Sequence, residues 1–182
     1  MTYQTVLMDP PWLESGGGKS KRGADRHYPL LKWPDIVSAI HKCPQWAEVS
    51  ECAHLYIWTT NNYLPDALNV INALGFRYVT NVVWVKEGRA GLGQYFRGRH
   101  ELLLFAVRGR RPTQPRTERR DLPSVIDAPR GRHSEKPAAS YELIEARSHG
   151  PRLELFARSH REGWTCWGNE LEPLGGALTV VG

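Results

Sequence analysis

A chain of 182 residues is long enough for one substantial hydrophobic core and too short for a second full domain, so residues 1–170 are expected to form a single domain and 171–182 a tail. With 24 Lys and Arg against 19 Asp and Glu, the net charge of +5 favours an anionic partner such as nucleic acid. Cys43, Cys52 and Cys166 lack the spacing of a disulfide framework or a zinc site, so no metal is expected; no apolar run approaches the roughly 18 residues of a membrane span and no signal peptide is evident, which together predict a cytoplasmic protein.

The first predicted element is the apolar strand Tyr3 to Met8, and it runs directly into Asp9-Pro10-Pro11-Trp12. Both Asp9 and Pro10 precede a proline and are pushed into extended backbone, while neither proline offers an N–H, so the turn is stiff and rich in acceptors. An exocyclic aromatic amine is a poor nucleophile because its lone pair is delocalised into the ring. A carboxylate at Asp9 and the Pro10 carbonyl, accepting its two N–H bonds, localise that pair and aim it. Trp12 is suited to stack on the base, a contact worth about 1–3 kcal/mol. Taken alone, the four residues also read as an ordinary strand-end turn.

Leu13 to His27 follows as a glycine-rich basic loop suited to closing over a substrate. Its Gly18-Lys19-Ser20 resembles the end of a phosphate-binding loop, but Leu13 stands where that motif requires glycine. His27 and Tyr28 end the loop as candidates to line a base pocket, with plain packing as the alternative. Pro34 predicts the start of a helix with Ile36, Val37 and Ile40 on one face, stopped by Pro44. Leu55 to Thr60 predicts a strand with Asn61 and Asn62 at its end, Pro65 to Leu74 a helix closed by Gly75, and Val79 to Val85 another strand.

The segment Glu87 to Arg99 mixes glycines with Tyr95, Phe96, Arg97 and Arg99, a composition suited to touching phosphate and stacking bases, or to a plain connection. Glu101 to Val107 predicts a buried strand. Arg108 to Arg120 carries Arg116, Arg119 and Arg120 beside prolines that forbid a long helix, a basic arm that is either solvated or a nucleic-acid path. Val125 to Asp127 predicts a short strand, Pro137 the first residue of a helix running to about Ser148, Leu153 to Ala157 a strong strand, and Trp164 to Trp167 a final one. Strands alternating with helices predict an α/β fold with a mostly parallel sheet.

In combination these pieces resemble the adenine-N6 methyltransferases related to the eukaryotic messenger-RNA adenosine methylating enzyme, a family with small bacterial and phage members. The resemblance runs from Tyr3 to Glu170. It rests on Asp9-Pro10-Pro11-Trp12, the block from Trp84-Val85-Lys86 to His100-Glu101-Leu102-Leu103, His133-Ser134-Glu135-Lys136-Pro137, Leu153-Glu154-Leu155-Phe156-Ala157-Arg158, and Trp164 through Gly168-Asn169-Glu170. It implies a Rossmann-like methyltransferase of permuted order, with Asp9, Pro10, Pro11 and Trp12 catalytic and the cofactor motifs late. It further implies S-adenosyl-L-methionine as methyl donor, with Lys136 at the methionine carboxylate, Arg158 and His160 at the ribose or methionine end, Asn169 and Glu170 at the ribose hydroxyls, and Asp9 close to the methionine amine. Arg161 stands where the eukaryotic enzyme has asparagine. The substrate implied is adenine in DNA before RNA. A catalytically silent nucleic-acid-binding subunit of a methyltransferase complex is the alternative, and the intact tetrapeptide argues against it.

Overall fold

The computed structural model describes residues 2–13, 30–88, 90, 95–109, 121–131, 135–169 and 171. In chain order the elements are β1 (Tyr3–Met8), α1 (Trp33–His41), β2 (Val49–Thr59), α2 (Leu64–Ala73), β3 (Arg77–Lys86), β4 (His100–Arg108), β5 (Val125–Ala128), α3 (Ala138–Arg147), β6 (Arg152–Leu155) and β7 (Trp164–Trp167), with short 3₁₀ turns at Pro44–Glu48 and Asn61–Tyr63. The strands form one seven-stranded sheet in the order β5-β3-β4-β2-β1-β6-β7. β1 pairs in parallel with β2 and β6, β6 with β7, and β3 with β5, while β4 alone runs antiparallel, between β2 and β3. This is the expected Rossmann-like arrangement of a mostly parallel sheet flanked by helices, with the strand carrying the tetrapeptide near its middle.

Side-chain alternation along the strands divides the interior into two layers. Val6 and Met8 of β1, Leu55 and Ile57 of β2, Leu104 of β4, and Leu153 and Leu155 of β6 face α1 and α2, where Ile36, Ile40, Ala67, Val70 and Ile71 close the larger core. Leu7, Tyr56, Trp58, Trp84, Leu103 and Phe105 point the other way and pack with Leu143 and Ile144 of α3. Asp9, Glu101, Lys86 and Glu154 have the parity of this second face, which is how chemistry enters an otherwise aromatic layer.

Of the boundaries that differ from the sequence-based expectation, three have a tertiary reason. β2 begins at Val49 rather than Leu55, because Tyr3 and Arg108 supply partners for its polar start and the Arg108 guanidinium donates to the Val49 and Ser50 carbonyls at 3.0 and 2.7 Å. Pro137 precedes α3 instead of opening it: its backbone is extended, and its carbonyl accepts from the Ser140 N–H at 2.9 Å and the Ser140 hydroxyl at 2.7 Å. β6 stops at Leu155 because Phe156 turns the chain with φ of 60°. Among the described residues no helix is long and apolar enough to cross a membrane.

Candidate functional site

Strand direction decides where the chemistry gathers. Met8 pairs with Ile57 and with Leu155, Leu155 with Trp167, and the antiparallel β4 begins opposite Thr59 and Val85. The residues following β1, β2, β6 and β7 and those opening β4 therefore share one edge of the sheet, the carboxyl edge at which open α/β sheets bind ligands.

At this edge the Lys136 ammonium lies 3.0 Å from Asp9 Oδ2 and 3.1 Å from Glu101 Oε2, while Arg158 Nη2 reaches the same Asp9 oxygen at 3.5 Å. Lys86 pairs with the other Glu101 oxygen. The result is a line of alternating charges, Arg158, Asp9, Lys136, Glu101 and Lys86, drawn from four strands and the entry to α3. Both cations on Asp9 approach Oδ2. Below the line, Lys136 sits 5.5 Å from the centroid of the Trp58 ring and Lys86 4.9 Å from that of Trp84, and the two indoles meet edge to face.

Burial and charge oppose one another here. Burial disfavours the Lys136 ammonium, but the Asp9 and Glu101 carboxylates overrule it and hold its pKa above the ordinary lysine value. Burial likewise works to raise Glu101, and Lys136 and Lys86 together carry it below the usual carboxylate range. Both groups are therefore charged at neutral pH. Beside them on β6, burial pushes the Glu154 carboxyl up, with the Tyr141 hydroxyl and Arg161 working against it and the Asp9 charge adding to it. Tyr141 donates to Glu154 at 2.8 Å, and Arg161 lies 3.6 Å from the Tyr141 ring centroid. Arg161 is thus directed to the α3 face by an aromatic ring and a carboxylate.

The tetrapeptide is held as stiffly as its prolines require. The Trp12 N–H donates to the Pro10 carbonyl at 2.9 Å, which takes one of that oxygen's two lone pairs. Leu31 donates to the Pro11 carbonyl at 2.8 Å and accepts from Leu13 at 3.0 Å, so the two ends of the following loop are clasped together at Trp12. The indole N–H of Trp12 donates to the Trp58 carbonyl at 3.1 Å.

Of the residues singled out from the sequence, the structure brings Asp9, Lys136 and Arg158 into one cluster, with Pro10, Pro11 and Trp12 beside it. His160 and Asn169 stand exposed at the same edge, after β6 and β7 respectively. Tyr95, Arg97 and Arg99 are exposed on the approach to β4, where the Arg99 carbonyl accepts the Lys86 N–H at 2.7 Å; they do not enter the charged cluster. His27, Tyr28, Arg116, Arg119, Arg120 and Glu170 lie outside the described residues, as do most of the glycine-rich loop and residues 172–182 of the tail. Glu101 and Lys86 were not foreseen as site residues. For Glu101 the available signal was a charge at the mouth of an otherwise apolar strand.

Comparison with known proteins agrees with this layout. The model of the MT-A70 family matches residues 3–170. A type II methyltransferase, M.MunI, from a Mycoplasma species is 30% identical over 93% of this chain and 78% of its own length. The N6-methyladenosine RNA methyltransferase MTA1 of Cryphonectria parasitica is 27% identical over 93% of this chain and 52% of its own. The N(6)-adenosine-methyltransferase catalytic subunit METTL3 of Homo sapiens is 29% identical over 94% of this chain, which spans only 29% of that longer protein. The chain belongs to the MT-A70 family, whose members among these relatives include N6-adenine methyltransferases.

Proposed function

We propose that this protein is an S-adenosyl-L-methionine-dependent methyltransferase acting on the N6 amine of adenine in nucleic acid, with DNA preferred over RNA. The observation that carries the reading is the Asp9 carboxylate, fixed at the central strand end by Lys136 and Arg158, which both approach Oδ2. The preference for DNA is supported by the likeness to the type II methyltransferase M.MunI, which at 30% identity exceeds the 27% of the RNA methyltransferase MTA1.

The donor set fits the cofactor. A methionine end presents a carboxylate and an amine side by side, and the edge offers the cations Lys136 and Arg158 next to the Asp9 anion. Lys136, kept protonated by two carboxylates, suits the methionine carboxylate, Asp9 the amine, and Arg158 with His160, Asn169 and Glu170 the remaining polar groups. When bound, S-adenosyl-L-methionine supplies an electrophilic methyl group on its sulfonium. The protein's part is positioning. Asp9 Oδ1 and the second lone pair of the Pro10 carbonyl accept the two N–H bonds of the adenine amine, localising its lone pair; Trp12 stacks on the ring, and Pro11 keeps the turn from relaxing. Tyr95, Arg97 and Arg99, and on the sequence side His27, Tyr28, Arg116, Arg119 and Arg120, hold the polynucleotide by stacking and phosphate contact.

Incubation with methyl-labelled cofactor and a panel of single- and double-stranded DNA and RNA, followed by identification of the modified nucleoside, tests this directly. N6-methyladenine, formed faster in DNA, is the expected product. Cofactor binding without transfer to any nucleic acid excludes the enzyme and leaves the silent-subunit reading.

A further inference from the structure

We infer that Tyr63 is a positioning residue of the base site, its ring fixing the plane of the Trp12 indole. The inference rests on the proposed stacking of adenine on Trp12 and names a residue that neither the sequence motifs nor the charged cluster contains. Tyr63 ends the 3₁₀ turn that follows β2, with its N–H donating to the Thr60 carbonyl at 3.1 Å. The turn is tied to β4, where His100 Nε2 lies 3.2 Å from Asn61 Oδ1, one residue from Glu101. From this mount the Tyr63 ring lies parallel to Trp12, with 6° between the planes and 6.1 Å between centroids.

The geometry matters because of what the other contacts leave undone. The Trp12 backbone is fixed by its bridge to Leu31, and the indole edge by its bond to the Trp58 carbonyl. The single hydrogen bond at Nε1 is a soft restraint that lets the indole plane tilt, and a tilting face is a poor stacking platform. A second ring parallel to the first removes that motion. Superposed rings in contact have centroids about 3.5 Å apart, so at 6.1 Å the Tyr63 ring does not lie squarely on the Trp12 face. Tyr63 thus braces the indole without capping it.

The test compares Tyr63→Phe, Tyr63→Leu, Trp12→Leu and the Trp12→Leu/Tyr63→Leu double variant. Two readouts are used on each: methyl-transfer kinetics, and the quench of 2-aminopurine at the target position of an oligonucleotide. Tyr63→Phe keeps the ring and is expected to match wild type. Tyr63→Leu is expected to raise KM for the oligonucleotide about fivefold, within the range an aromatic pair is worth, and to lessen the quench, with cofactor Kd unchanged. The loss is expected to vanish in the Trp12→Leu background. Equal losses in both backgrounds, an unchanged Tyr63→Leu protein, or a Tyr63→Phe protein as impaired as Tyr63→Leu overturns the inference. Failure of the methyltransferase reading shows differently: wild type itself transfers no methyl, while the quench series still reports on Tyr63.

Discussion

Asp9 Oδ2 meets Lys136 at 3.0 Å and Arg158 at 3.5 Å, and the proposed function gives the Asp9 carboxylate the substrate amine. Asp9→Ala is accordingly expected to abolish methyl transfer while the protein stays folded, since Lys136 retains Glu101; folding is checked by thermal melting, and activity within a few-fold of wild type rules the role out. Lys136→Met is a harsher change. It leaves two carboxylates at a mostly buried site without their shared cation, and breaking such a pair costs about 3–5 kcal/mol. Chemical denaturation should show a loss of that order, together with weaker cofactor binding. The pH dependence follows from the directions of the shifts. Glu101 is lowered on folding, so its stabilisation is full above the unfolded carboxylate pKa of about 4.3 and is lost as pH falls through the folded value; Lys136 is raised, so its contribution is full below about 10.4 and is lost as pH rises past its folded value. The stability difference between wild type and Glu101→Gln should be flat across neutral pH and shrink in acid.

Among the elements, α3 and the β6–β7 pair hold the site in place. The carboxyl end of α3 is anchored by Ser148, whose fully buried hydroxyl meets Tyr56 and His54 at 2.7 Å each, and by Thr5, whose hydroxyl donates to the His149 carbonyl at 2.6 Å. Burial pushes Tyr56 up to about 12, so its hydroxyl stays protonated at ordinary pH. Ser148→Ala should cost about 1–3 kcal/mol in denaturation experiments by stranding buried polar partners, with little effect on cofactor affinity. The other support is a close backbone approach. A Cβ at Gly168 meets the Ala157 carbonyl oxygen at 2.1 Å and the Ala157 nitrogen at 2.8 Å, and Ala157 donates to the Trp167 carbonyl. Backbone cannot move aside as a side chain does. Gly168→Ala is therefore expected to push apart the chain segments carrying Arg158 and Asn169, lowering both melting temperature and cofactor affinity.

Across the whole molecule, the parallel strands set out a charged edge over two packed layers, and the net charge of +5 favours a polyanionic partner. Replacing Arg97 and Arg99 together should weaken oligonucleotide binding and reduce the slope of affinity against salt by up to about two phosphate contacts. An unchanged slope in salt titrations means that these side chains are merely solvated. Replacing Arg116, Arg119 and Arg120 together asks the same of the arm.

Much of this molecule was legible in its sequence because apolar runs, prolines and glycines act locally. Gly75 closes α2 with φ of 75°, Pro34 lies in the first turn of α1, and every strand was foreseen in type if not in extent. The tetrapeptide was legible for the same reason, since Asp-Pro-Pro-Trp restricts its own backbone. What the sequence could not supply was the partner of each charge. Glu101 lies 92 positions from Asp9, and nothing local joins them. Only an antiparallel β4 inserted beside β2 brings Glu101 to the edge where Lys136 can bridge it to Asp9. Tyr63 facing Trp12 is a result of the same kind. Local residues determined the elements and the chemistry of the turn. The order and direction of the strands decided which charges and rings meet there, because such meetings are set by packing across the sheet rather than by neighbours along the chain.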